Sequence, residues 1–477
     1  MPVFNATFFN RNIPDECHQK MKELLGGGHK IVSVAFPPAG GNSWSVVTDK
    51  TFWNRNVPDE CHEKMKELRA GGHKVLSVAF PPAGGNRWSV VAQSRFFNRV
   101  ISADCHRAMR AMTQCGLGLR LVAFPPAGGF SVLGSGDALF APDPVLTAGG
   151  KSFSLTAFID GMGAQLQGKG CKYGLIARLG LALRTATDGP ARTSTTPPQR
   201  DYSVFDTSTH ASVAKTITAV TLLQLIEQKG LEISEPIASH LPDGWNLGPN
   251  VETITVAELL NHTSGFRGGS ATYDDLKDLV AGGIKIADKI SKYSNCNYNL
   301  ARLVVADLVG YWADGSDPAK ATSQSFISQV QAGVFDKLGV PEVSWKPDGE
   351  PTLFYPTPPG TSQGTAYGDA TLTPGATGVH VSLAELSVFI DRLAETDLLL
   401  SAGMRNQMDD NGLGWGKKTD VNEGFYYRKR GYHPAGMNGG AELNTGIYKF
   451  SNGLQVALLH NGPGGVDVAA AYDAAWT

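Results

Sequence analysis

Along the first 133 residues, two spacings of apolar positions alternate, and the pair of spacings recurs. Cys17, Met21 and Leu24 fall at i, i+4 and i+7, one face of a short helix. Pro14-Asp15-Glu16 suits its first turn, with acids at the positive end of the dipole, and a glycine cluster stops it. KIVSVAF then reads as a strand, PPAGG as a turn and WSVV as a returning strand. The same face returns as Cys61, Met65, Leu68 and again as Cys105, Met109, Met112, an offset of 44 residues. A fixed period of this size predicts stacked helix-plus-hairpin units sharing a core.

Within these units the cysteines read as buried packing thiols. His18, His62 and His106 have no second ligand class beside them, which favours hydrogen-bonded structural histidines over metal ligands. Trp44 and Trp88 recur at one position, with Phe130 in the third unit. Core packing is one reading of them, and an exposed aromatic surface that docks a polysaccharide or protein is the other. VFNAT, from Val3 to Thr7, occupies the place of VTDKT, from Val47 to Thr51. The chain therefore opens in mid-repeat, and the expectation is a longer product with further repeats and a signal peptide upstream.

The repeat fades after residue 133. Residues 134–155, with GSGDALFAPDP, read as a linker or a surface loop, and residues 156–477 as a second domain. There Val213, Ile217, Val220 and Leu223 predict a buried helix running to about Lys229, ended by Gly230. Ser212 and Lys215 stand at its start, at i and i+3, on one face. Such a pair is either a capping serine beside a surface lysine, or a nucleophile with its base. The second reading uses the free N–H groups of the first turn and a lysine whose apolar setting disfavours its charged form.

Composition narrows the chemistry. Lys plus Arg number 42 against 44 Asp plus Glu, a formal charge of −2, so nothing electrostatic points to nucleic acid or an anionic membrane as partner. No apolar run reaches the length needed to span a bilayer. Six cysteines are too sparse for a disulfide scaffold, and no Cys/His spacing suits zinc, so no metal or organic cofactor is expected.

Ordered company decides between the two readings of Ser212. LLNHTSGF, from Leu259 to Phe266, is followed by Tyr293-Ser294-Asn295 and then by HPAG, His433 to Gly436. With SVAK, these resemble the motifs of the serine β-lactamase-related family, which includes class C β-lactamases, D-alanyl-D-alanine carboxypeptidases and family VIII esterases. The resemblance covers residues from about 150 to 477. It implies an α+β domain with an antiparallel sheet and a helical subdomain, making the chain an α/β (α+β) multidomain protein. It also implies Ser212 as nucleophile, Lys215 as its base and Tyr293 as proton relay. Asn295 would be a ligand for the lysine or the substrate, and His433 would stand in the third motif. The oxyanion hole would be formed by the N–H groups of Ser212 and Gly436. Pro434 and Ala435 depart from that motif, where a threonine hydroxyl and a glycine are usual.

FNRN-PDECH-KM-EL-GGHK-SVAFPPAGG in turn resembles the structural repeat of polyglycine hydrolases, secreted endopeptidases that join such repeats to a β-lactamase-like half. This resemblance implies a secreted enzyme cutting Gly-Gly bonds in glycine-rich linkers. An esterase or D-amino acid peptidase would use the same residues. A catalytically silent protein that binds through its repeats is the reading from another class.

Overall fold

Each repeat folds as a helix followed by antiparallel strands, and the first two repeats carry three strands where the pattern predicts two. The first comprises α1 (Asp15–Gly26), β1 (Ile31–Ala35), β2 (Trp44–Thr48) and β3 (Phe52–Arg55), with the sheet in that order. The second repeats this as α2 (Asp59–Ala70), β4 (Val75–Ala79), β5 (Trp88–Ala92) and β6 (Arg95–Arg99). The third has α3 (Ala103–Gln114) and two strands, β7 (Gly118–Ala123) and β8 (Ser131–Ser135). The extra strand is only four or five residues, half-buried and polar-rich, so periodicity does not announce it. β3 pairs Phe52 with Val47 and Trp53 with Val46, finishing the sheet with residues that open the next sequence repeat.

This computed structural model describes residues 13–38, 41–93, 95–126, 128–136, 142–167, 172–310, 317–340, 342–356, 363–416, 418–436, 441–462 and 464–477. The opening segment Val3–Thr7 lies outside them, as do Cys171 and residues 137–141 of the expected linker. The chain divides into two units, Met1–Leu139 and Phe140–Thr477.

The cores of the first unit cross the repeat boundaries. Val47, with Ala35 and Phe52 at its margin, packs with Cys61, Met65 and Leu68 of the following helix. One repeat later, Leu76, Ala79 and Val91 pack with Cys105 and Met109. Cys17, Cys61 and Cys105 are fully buried free thiols, and burial raises them to about 11, 12 and 12. Asn54 and His62 share a 3.0 Å side-chain hydrogen bond, and Asn98 and His106 repeat it at 3.0 Å. These two histidines are therefore structural. Trp44 and Trp88 are each 5% exposed, which overturns the reading of them as a docking surface. Their indole N–H groups donate to Asn42 and Asn86.

The second unit is built on a six-stranded antiparallel sheet. Its strands are β9 (Tyr173–Leu179), β10 (Ala182–Asp188), β11 (Thr419–Val421), β12 (Gly424–His433), β13 (Leu443–Phe450) and β14 (Leu454–His460). They lie in the order β10-β9-β14-β13-β12-β11. The helices α4 (Leu155–Gln167) and α8 (Val468–Ala474) cover one face through Phe158, Met162, Tyr448, Phe450 and Tyr472. The other helices used below are α5 (Ala214–Gln228), α6 (Asn295–Leu308) and α7 (Leu383–Glu395). Nearly every residue of α5 is buried, polar ones included, so its weak amphipathicity marks a helix surrounded by protein.

Met65 is fully buried in the second repeat, and its sulfur accepts from Asn54. Met65→Ala should cost ~2–5 kcal/mol by removing packed volume, read as a lowered urea midpoint for the β4–β5–β6 amides in hydrogen exchange.

Candidate active site

Ser212 sits before the long helix rather than inside it. Ser212 belongs to a 3-10 turn, Ala211–Val213, that leads into α5. Ala211 holds φ +47, an unusual conformation for a residue with a Cβ. The surrounding sheet holds that turn in place. His210 is fully buried and bonds through Nε2 to the Val381 carbonyl at 2.9 Å, while its own carbonyl accepts from Thr445 Oγ1 at 2.8 Å. Burial pushes His210 down to about 4, so the ring is neutral at ordinary pH. Across from the turn stands Gly431 of β12. A Cβ there would lie 2.3 Å from the His210 carbonyl oxygen and 2.3 Å from Thr445 Oγ1, so only glycine permits this approach.

Three predicted residues meet in one triangle. Lys215 Nζ donates to Ser212 Oγ at 2.9 Å, and Ser212 Oγ shares a 2.6 Å hydrogen bond with the Tyr293 hydroxyl. Lys215 has no exposed surface, and its second acceptor is the carbonyl of Ala376 at 2.7 Å. Burial is the main cause that lowers Lys215 well below the usual lysine range, and the charge of Lys429 lowers it further. Tyr293 is raised by burial, partly offset by its bond to Ser212. An amine that prefers neutrality, within hydrogen-bond reach of a serine hydroxyl, is the arrangement general-base catalysis requires.

The Ala376 carbonyl is held by its own brace. Thr218 Oγ1 donates to the Gly375 carbonyl at 2.7 Å, and Arg302 Nη1 to the Pro374 carbonyl at 3.2 Å. The Ala376 N–H donates to Asn299 Oδ1 at 3.3 Å. Arg302 is fully buried and lies on α6, as does Asn299, so the helix that follows the tyrosine motif also fixes the lysine's acceptor.

Asn295 is not the ligand of the lysine, the first of its two expected roles. It is the first residue of α6, exposed, and the lysine's hydrogen bonds go to Ser212 and Ala376 instead. Two residues on, Asn297 is fully buried; it accepts from Ser264 Oγ at 2.7 Å and bonds to His262 Nδ1 at 3.2 Å. His433 ends β12 and stacks on Tyr367, ring centres 4.5 Å apart. Burial and then Lys215 depress it to about 4. Gly436 is exposed, with φ +86. Cys296 is buried and raised by burial to about 11, an inert packing thiol.

Two residues absent from the predicted set belong to this neighbourhood. His262, from LLNHTSGF, lies with its ring centre 4.5 Å from that of Tyr293. Its Nδ1 accepts from the Ser294 N–H at 3.3 Å, and burial, then Lys429 and Lys215, lower it to about 3. Lys429 of β12 is 5% exposed, and burial lowers it to about 7. The motif containing His262 is visible in the sequence. Lys429 sits in the basic run Arg428-Lys429-Arg430, which reads as a solvated edge. Beside Tyr293 opens a cleft of about 490 Å³, lined among others by Asn261, His262, Thr263, Trp415 and Lys429. Asn261 Oδ1 accepts from both the N–H and the hydroxyl of Thr263.

Two outcomes follow. Gly431→Ala should slow acylation of Ser212 by on the order of 10²-fold, because displacing the nucleophile turn spoils attack geometry; the rate of fluorophosphonate labelling measures it. Stability should also climb with pH. Lys429 has a folded value of about 7, below the unfolded value of roughly 10.4. Below about pH 7 the full cost of burying its charge is present, and that cost disappears as pH rises toward 10. The gain is ~1.4 kcal/mol per pH unit from such a group, seen as a rising urea midpoint between pH 7 and pH 9.5.

Known proteins resemble the second unit. The β-lactamase family profile matches residues 207–476. The Bacillus subtilis (strain 168) protein PbpX, named as a penicillin-binding protein, is 27% identical over 261 residues, 52% of this chain and 60% of that protein. The chain thus spans about three fifths of the length of that curated relative. The D-amino acid amidase of Ochrobactrum anthropi SV3, solved with L-phenylalanine, shares 17% identity and a TM-score of 0.51, over 67% of this chain and 97% of that one. A β-lactamase/D-alanine carboxypeptidase from Yersinia pestis, solved with citrate, shares 13% identity and a TM-score of 0.50, over 67% and 97%. At such identities the structural likeness is one of fold. The family match covers more than half of the chain and includes Ser212, Lys215 and Tyr293: the chain belongs to the β-lactamase family of serine hydrolases.

Proposed function

We propose that the enzyme hydrolyses peptide bonds through an acyl-enzyme on Ser212, and that its substrates are glycine-rich linkers. The observation that carries the reaction is the Ser212–Lys215–Tyr293 triangle, with bonds of 2.9 and 2.6 Å. In the first step the Ser212 oxygen bonds to the substrate carbonyl carbon. Its proton passes to the neutral amine of Lys215, directly or through the Tyr293 hydroxyl. The oxyanion meets the Ser212 N–H, which stands in the first turn where intrahelical acceptors are lacking. The N–H of Gly436 serves as the second donor. The tetrahedral adduct then collapses, and the departing amine takes the proton from the Lys215–Tyr293 pair. Water, deprotonated by that same pair, releases the acyl group and restores the serine. Asn295, exposed at the head of α6, and His433 are left to contact substrate.

The substrate class rests on the resemblance of the repeats to those of polyglycine hydrolases, and on a steric argument. A pocket related to ones that take D-amino acid peptides rejects most L-side chains, whereas glycine has no Cβ on either face. The same resemblance supports secretion. The fold shared with a D-amino acid amidase favours a second reading, amides or short peptides of D-amino acids.

Mass spectrometry of digests separates these readings. A protein carrying a polyglycine linker should be cut between glycines by the wild type and left whole by Ser212→Ala. An intact linker, with Ser212 still labelled by a fluorophosphonate, moves the substrate to D-amino acid amides or esters.

A further inference from the structure

One buried tyrosine touches both flanks of the turn that follows β12. Tyr367 is 4% exposed, and its ring stacks on that of His433, centres 4.5 Å apart and planes 17° from parallel. Its hydroxyl donates to the Ala441 carbonyl, on the far side of the same turn. His433 pairs with Leu443 at the end of the β12–β13 ladder, so Gly436 lies beyond the last strand pair. Pro434, Ala435 and Gly436 are exposed there, and a Cβ built on Gly436 would meet no atom within 4 Å. The residue read as the second oxyanion donor has open space around its α-carbon, while the positions flanking it are held by Tyr367.

Tyr367 is itself anchored. The Phe354 ring lies 5.4 Å from its own, and Phe354 exchanges backbone hydrogen bonds of 2.9 and 2.8 Å with Thr365. Burial, and then the charge of Glu442, raise the phenol to about 12, so it stays a donor at ordinary pH. Further along the same stretch of chain, the Ala376 carbonyl accepts from Lys215, and the Val381 carbonyl accepts from His210 beside the nucleophile turn. Residues 367–381 thus touch the base, the nucleophile turn and the third motif. An N–H that meets a developing oxyanion is effective only when it is held still relative to the attacking oxygen. A segment bonded to both sides supplies that common frame.

We propose that Tyr367 is a positioning residue of the oxyanion site: through its stack on His433 and its bond to the Ala441 carbonyl, it fixes the turn that presents the Gly436 N–H to the substrate carbonyl. It touches no reacting atom. Loss of the hydroxyl frees one flank of the turn, and loss of the ring frees both. The inference rests on the reading of Gly436 as an oxyanion donor and is independent of which peptide is cut.

The test is the rate of fluorophosphonate labelling at Ser212 per titratable serine, because the phosphoryl oxygen of the reagent takes the place of the oxyanion. It would compare the wild type with Tyr367→Phe and Tyr367→Leu, each checked for a cooperative thermal transition. Labelling should slow about 10-fold in Tyr367→Phe and on the order of 10²-fold in Tyr367→Leu, approaching the loss of one oxyanion donor. The pH profile of labelling should keep its shape, because the bonds among Ser212, Lys215 and Tyr293 are untouched. Wild-type rates per site in both folded variants overturn the proposal. So does a smaller number of titratable serines at an unchanged rate per site, the mark of a merely structural role. A shifted pH profile does the same, since the damage has then reached the lysine. Gly436→Pro, which removes the N–H, isolates the underlying reading. If it is slow while the Tyr367 variants are unaffected, the role of Tyr367 alone is overturned; if it labels at full rate, the oxyanion reading falls as well.

Discussion

The second unit depends on one interaction: an amine with no solvent exposure, bonded to a serine hydroxyl on one side and a backbone carbonyl on the other. Placing Lys215 there costs the protein the hydration of a charge, and the protein responds by favouring the neutral form. Everything nearby serves that placement. Thr218, Asn299 and Arg302 pin the 374–376 segment so that the Ala376 carbonyl faces the amine. His210, Thr445 and Gly431 pin the turn that carries the serine. The helix, the sheet and the segment after the tyrosine motif each supply one wall.

The electrostatics follow from what the site lacks. Among the described residues no carboxylate acts on Lys215 or Lys429, so proton affinity is governed by burial and by repulsion between like charges rather than by ion pairing. His210, His262 and His433 are all driven neutral, chiefly by burial, so His210 and His262 contribute a hydrogen bond and His433 a stacked ring instead of charge. The Tyr293 ring offers its face to both amines, the remaining attraction available to a cation in such surroundings.

The sequence made some of this legible and left the rest hidden, for physical reasons. Ser212, Lys215 and Tyr293 are side chains in spaced motifs, and the structure brings them together. The Ala376 carbonyl left no trace, because a backbone acceptor has no residue type. Asn295 and Asn297 stand two apart at a helix start, and only packing decides which one is buried. Lys429 was hidden by its neighbours: a run of three cations suggests solvent, while the alternation of a strand turns its middle member inward. In the repeats, helix and hairpin followed from periodicity. The third strand did not, since four half-exposed residues carry too little alternation to read.

That third strand has an evolutionary consequence. The segment copied in the sequence and the segment that completes a sheet are out of phase, because β3 and β6 open the next copy while closing the previous sheet. The apolar contacts are out of phase too, with Val47 and Val91 lodged in the core of the following helix. A duplication or deletion of one 44-residue period therefore transfers one complete interface wherever the break falls. The number of copies can change between lineages without any apolar edge being uncovered, and selection can tune the array's length independently of its foldability.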